Sequence, residues 1–127
     1  MRLAVIGAGV NGLIGVAMGA WAAHGAAGVL EPAQIDWVRT GAAYQLWHAA
    51  ALLGLAALAG RAPARGLTVA AWCFCFGALG FSCSLYLLAV ADWRWLVWLT
   101  PAGGAAMLAG WIAVIVQGVL GWRGKLP

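Results

Sequence analysis

Eight side chains stand out from an otherwise apolar chain because they can exchange hydrogen bonds or protons: His24, Tyr44, Gln45, His48, Ser82, Ser84, Tyr86 and Thr100. Tyr44 and His48 are four residues apart, and Ser82 and Tyr86 repeat that spacing, so on a helix each pair shares one face. Ionisable groups at membrane depth face a bundle interior and mark functional sites by default. A set of this kind could hold a small molecule, a quinone headgroup or a proton. The alternative is a structural network, in which each interhelical bond is worth about 0.6–2 kcal/mol. Two histidines could ligate haem or a metal, but no third ligand accompanies them, so no cofactor and no metal are expected. No nucleophile has a base and an orienting group beside it, and the chain does not read as an enzyme. Cys73 and Cys75 point about 200° apart on a helix, and Cys83 shares a face with neither. All three read as small hydrophobes.

The elements that must position these groups follow from composition. Of 127 residues, 65% are hydrophobic and 8% charged, with a formal net charge of +4. Soluble domains carry about 25% charged residues, so a soluble monomer is excluded. Disorder needs the opposite composition. A spanning helix needs about 20 apolar residues, and four runs qualify, at about 3–23, 41–60, 67–91 and 99–122. The expected fold is all-α, a four-helix transmembrane bundle forming a single membrane domain over 1–127. Pro32 suits the first turn of a helix, with acids nearby that complement its dipole. Such a helix running to Gly60 would be about 42 Å long, so its first turns should lie at, or bend along, the membrane surface. Asn11 is read as a helix–helix hydrogen bond.

Orientation follows from the Lys/Arg bias of short loops. Arg2, Arg61, Arg65, Arg123 and Lys125 fall on one side of four spans, Arg39 and Arg94 on the other. Both termini are therefore expected in the cytoplasm. The eight polar groups then lie in the outward half, leaving Thr68 and Gln117 in the inward half. Trp21, Trp93, Trp95 and Trp98 near one face, and Trp72 and Trp122 near the other, form the expected interfacial belt; Trp111, mid-span, is read as packing. Gly12, Gly15, Gly19 and Gly110 mark small-residue faces for close helix approach.

Two motifs are set aside. Gly7-x-Gly9-x-x-Gly12, with Glu31 further on, matches the dinucleotide fingerprint. Three further spans, however, leave no parallel sheet to build the crevice. The first apolar run also exceeds the 7–15 residues of a signal core, so it is read as a retained span. The expected partners are the lipid bilayer and other membrane proteins or a second copy of the chain. Neither nucleic acid nor nucleotide is expected.

His24-Gly25, Tyr44-Gln-Leu-Trp-His48, Phe81-Ser-Cys-Ser-Leu-Tyr86, Thr100-Pro-Ala-Gly-Gly104 and Gly110-Trp111 occur in that order. Over residues 3–122 the chain resembles the small YgdD/YwdK-like membrane proteins, the family called domain of unknown function 423. Trp21 stands where members often carry Phe, and Cys83 where they often carry Gly. The resemblance implies a four-helix protein of the cell (inner) membrane with no established biochemical activity. Two roles fit the whole reading. One is a structural or accessory subunit packing on membrane partners through its small-residue faces. The other is a small binding or transport module using the polar set; in either role His48 is expected to point into the bundle as the pivot of that set, neutral and bonded to another helix.

Overall fold

The computed structural model describes residues 2–123; Lys125 lies outside them, as do the side chains of Trp122 and Arg123. The chain folds as α1 (Arg2–His24), α2 (Pro32–Arg61), α3 (Arg65–Ala91) and α4 (Leu99–Arg123), with a 3-10 turn over Arg94–Trp98 leading into α4. All four helices are long and apolar enough to cross a membrane. The helices run past the apolar segments that announce them because helix geometry does not stop where hydrocarbon stops. At 30 residues α2 is the longest, about 45 Å at 1.5 Å per residue.

The start of α2 is tied down by its side chains. The Glu31 backbone N–H donates to Gln34 Oε1 at 2.8 Å, and Gln34 Nε2 donates to the Ala89 carbonyl at 3.0 Å, joining the start of α2 to the end of α3. At the end of α3, Asp92 adopts φ 51°. Its short polar side chain tolerates this left-handed conformation, and it pairs with Arg94 at 3.1 Å. Gly28 takes φ 83° in the α1–α2 connection.

Small residues set the packing of α1 on α2. A Cβ added to Gly12 would meet Ala49 at 3.8 Å, one on Gly15 would meet Leu46 at 3.1 Å, and one on Gly19 would meet Ala42 at 3.6 Å. The rising and falling numbers describe an antiparallel pair. Gly110 of α4 packs against α3, where its Cβ would come within 2.6 Å of the Phe74 ring. These small faces are therefore used between helices of the chain itself. Gly7 likewise sits mid-helix against Cys75, so the fingerprint glycines belong to the interior of α1 and not to a strand–helix turn.

The four helices do not form a square. Among the described residues α1, α2 and α3 pack mutually, while the backbone of α4 approaches only α3 and the 3-10 turn. One apolar core cluster includes Ala4, Ala8, Leu52, Leu55 and Phe74. Another, towards the α1–α2 connection, includes Ala22, Val38, Tyr86 and Ala89. Between them lie the buried polar residues Asn11, Gln45 and Ser82.

The closest backbone approach joins α3 to α4. A Cβ on Gly103 would stand 2.5 Å from Phe81 N and 2.7 Å from Gly77 O. Backbone atoms in a helix cannot step aside, so Gly103→Ala is expected to lower stability by about 1–3 kcal/mol through overpacking. Gly9→Ala meets nothing within 4 Å and is expected to raise stability by about 0.5–1 kcal/mol. Thermal unfolding in detergent checks the pair, and the opposite order would mean that α4 packs elsewhere.

Candidate functional site

The eight sequence candidates separate into three groups and one outlier. The first group crosses three helices. Tyr86 on α3 donates from its hydroxyl to Gln45 Oε1 on α2 at 2.7 Å. Gln45 Nε2 donates to Asn11 Oδ1 on α1 at 3.3 Å. Asn11 Nδ2 donates to the Gly7 carbonyl at 2.9 Å and reaches the Cys75 carbonyl at 3.5 Å. The direction of this chain is forced from its end. Carbonyls only accept, so Asn11 must turn its NH2 toward Gly7 and its oxygen toward Gln45. Gln45 must then offer its own oxygen to the phenol. Beside it, Ser82 Oγ donates to the Gly41 carbonyl at 2.7 Å. Gly41 itself lies under the Tyr86 ring, 2.6 Å from where a Cβ would stand.

The second group centres on His48, which is buried. Its Nδ1 lies 2.8 Å from the Tyr44 carbonyl, and Trp111 Nε1 on α4 donates to its Nε2 at 3.3 Å. An indole N–H only donates and a carbonyl only accepts, so the geometry selects the neutral ring with its proton on Nδ1. A proton on Nε2 would face the indole N–H. Around it, Phe74 packs on Trp111 at 4.8 Å and Tyr44 on Phe81 at 4.7 Å between ring centroids. The third group is a pair. Ser84 Oγ donates to the Phe81 carbonyl at 2.7 Å and lies 2.6 Å from Thr100 Oγ1. With the serine proton already committed, the threonine hydroxyl is the donor.

His24 is the outlier, exposed at the last residue of α1. The expectation of one cluster pivoting on His48 thus needs correction. Helices place Gln45 and His48 three residues apart, yet their side chains reach different neighbours, α1 and α3 for one and α4 for the other. Sequence reasoning left Asn11 and Trp111 out of the site. A mid-span indole N–H needs an acceptor when buried from water, and that signal could have found Trp111.

Among the described residues every buried side-chain nitrogen and oxygen has a hydrogen-bond partner. Both serine hydroxyls donate to backbone carbonyls, and neither bonds to His48. The cysteines are free and dispersed: Cys75 packs on Gly7 of α1 and Cys73 on Gly110 of α4. The arrangement can bind helices to one another.

Gln45→Leu leaves two groups without partners, the Tyr86 hydroxyl and the Asn11 oxygen, and is expected to cost about 1–3 kcal/mol. Tyr86→Phe leaves only Gln45 Oε1 without its donor and should cost less. His48→Ala loses both of its bonds and should cost more than His24→Ala. Chemical or thermal unfolding in detergent ranks the four; equal losses for His48 and His24 would remove the helix-joining role of the imidazole.

Residues 18–104 match the family described as "Protein of unknown function (DUF423)". The chain is 42% identical over 107 residues to a UPF0382 membrane protein of Haemophilus influenzae, covering 83% of this chain and 84% of that one. It is 38% identical to the UPF0382 inner membrane protein YgdD of Escherichia coli, with 93% and 90% covered. With the UPF0382 membrane protein YwdK of Bacillus subtilis it shares 35%, over 94% and 98%. No solved structure matches. Four membrane-length helices and relatives aligned along nearly all of them give one conclusion: this chain is a multi-pass membrane protein belonging to the DUF423 (UPF0382) family.

Proposed function

We propose that this chain is a non-enzymatic structural or accessory component of the inner membrane, packing on other membrane proteins or on a second copy of itself, with both termini in the cytoplasm. One observation carries the reading: among the described residues, every buried polar side chain is already bonded within the chain. A site built to bind or transform a ligand keeps donors or acceptors free for it. The printed name of the Escherichia coli relative, an inner membrane protein, supports the location. Residues for a partner contact are present on α1 and α4, which do not meet and which expose Leu13, Val16, Ile112 and Ile115. The topology rests on the sequence, where Arg2, Arg61, Arg65, Arg123 and Lys125 gather at the end that holds the termini.

A second reading has one observation of its own. Trp111 is 45% exposed while its N–H holds His48, so a small molecule, a quinone headgroup or a proton arriving between α2 and α4 could take over that bond. Gentle extraction followed by mass spectrometry separates the two. The accessory reading expects co-purifying membrane proteins or a defined oligomer with no bound small molecule. A strictly monomeric chain carrying an extractable ligand lost in Trp111→Phe would replace it with the second. Cysteines placed in residues 61–66 should be labelled only by membrane-permeant reagents in intact cells; labelling by an impermeant reagent would invert the topology.

A further inference from the structure

We propose that the cleft between the α2–α3 turn and the last turns of α4 is a binding site for one anionic phospholipid. The cleft has a volume of about 690 Å³ and is lined by Leu58, Pro63, Leu67, Val114, Gln117 and Gly118. That is within the roughly 300–1,000 Å³ of small-molecule sites. It exists because α4 packs on α3 alone, leaving α2 and α4 apart at this end. Gly118 and Gly121 keep it open, since nothing lies within 4 Å of a Cβ at either. The wall is almost wholly aliphatic, which suits an acyl chain. Its amide, Gln117, leans on Gly66, with its oxygen 2.7 Å from where a Cβ would stand, at the end where the α2–α3 turn closes the cleft.

The charge balance of the chain names the headgroup. Arg61 and Arg65 bracket the wall residues 62–64 and are exposed. The three side-chain carboxylates of the sequence all lie at the opposite end, Glu31 and Asp92 in the connections and Asp36 in the first turns of α2. There Asp36 pairs with Arg39, and Asp92 with Arg94. The turn therefore presents two cations with no acidic side chain to neutralise them, at the mouth of an apolar cleft where a helix pair meets the headgroup layer. Basic pockets between membrane helices bind anionic headgroups in this way. A phosphate with one acyl chain below it satisfies both halves of the site. The site requires only that the chain is embedded in a membrane, so it stands or falls apart from the accessory role.

The test is native mass spectrometry of the delipidated full chain titrated with phosphatidylglycerol or phosphatidylcholine, each with and without excess inorganic phosphate. One phosphatidylglycerol should be retained in preference to phosphatidylcholine, and phosphate should not displace it. About fivefold weaker retention is expected per arginine removed, so about 25-fold for Arg61→Gln with Arg65→Gln. Gly118→Leu projects a side chain from a position whose Cβ meets nothing within 4 Å and should also weaken retention, while Arg39→Gln at the opposite end should leave it unchanged. Unfolding midpoints equal to wild type establish that these variants remain folded. Equal retention of both lipids, undiminished binding by the double arginine variant, or full displacement by phosphate would overturn the site. So would retention unaffected by Gly118→Leu, which would leave only surface adhesion, or a protein dimer forming at the cleft with no lipid.

Discussion

In hydrocarbon there is no water to take over a broken hydrogen bond, so a buried amide must find all its partners within the protein. Asn11 and Gln45 impose that condition here. Gln45 can reach Asn11 only if α1 and α2 lie nearly in backbone contact, and the side chains between them are accordingly small: Gly12, Gly15, Gly19, Ala42 and Ala49. Gly41 plays the same part towards α3, letting the Tyr86 ring lie flat enough for its hydroxyl to meet Gln45. The polar chain and the small-residue faces are two sides of one constraint. Either without the other would be unfavourable, since small faces alone give only van der Waals contact and a buried amide without a partner costs several kcal/mol.

The attachment of α4 follows different physics. Its contact with α3 rests on close backbone approach at Gly77 and Gly103 and on the Phe74 ring lying over Gly110. Among the described residues it has two side-chain polar ties, Thr100 to Ser84 and Trp111 to His48. The second of these is the sole hydrogen bond from α4 to α2 among the described residues. The core of three helices is therefore cross-linked by polar bonds, while the fourth is laid against it largely by shape. A wedge opens beside α4 at one end because no backbone contact closes it.

This division bears on the reading of function. A polar set concentrated in an apolar protein usually suggests a site, yet here its buried members are bonded to one another or to backbone carbonyls. What remains free is surface: the aliphatic rows of α1 and α4, the exposed tryptophans of the 3-10 turn, and the basic turn between α2 and α3.

By itself the sequence determined the fold class, because ten charged residues cannot cover a water-facing surface and four apolar runs of membrane length can only be helices. It also determined which glycines on α1 face a neighbour, since periodicity along one helix is a local property. Composition and spacing could not decide which polar groups meet. Gln45 and His48 read as neighbours in one cluster, but a rotation of about 300° along α2 sends one to Asn11 and Tyr86 and the other to Trp111. Helix rotation and the pairing of helices are set by packing between segments far apart in the chain, and no local pattern encodes them. For the same reason His24, similar in type to His48 and expected at a similar depth, ends exposed at a helix terminus. Only the tertiary structure could decide that α4 leans on α3 alone, because that depends on how closely Gly103 and Gly77 let two backbones approach.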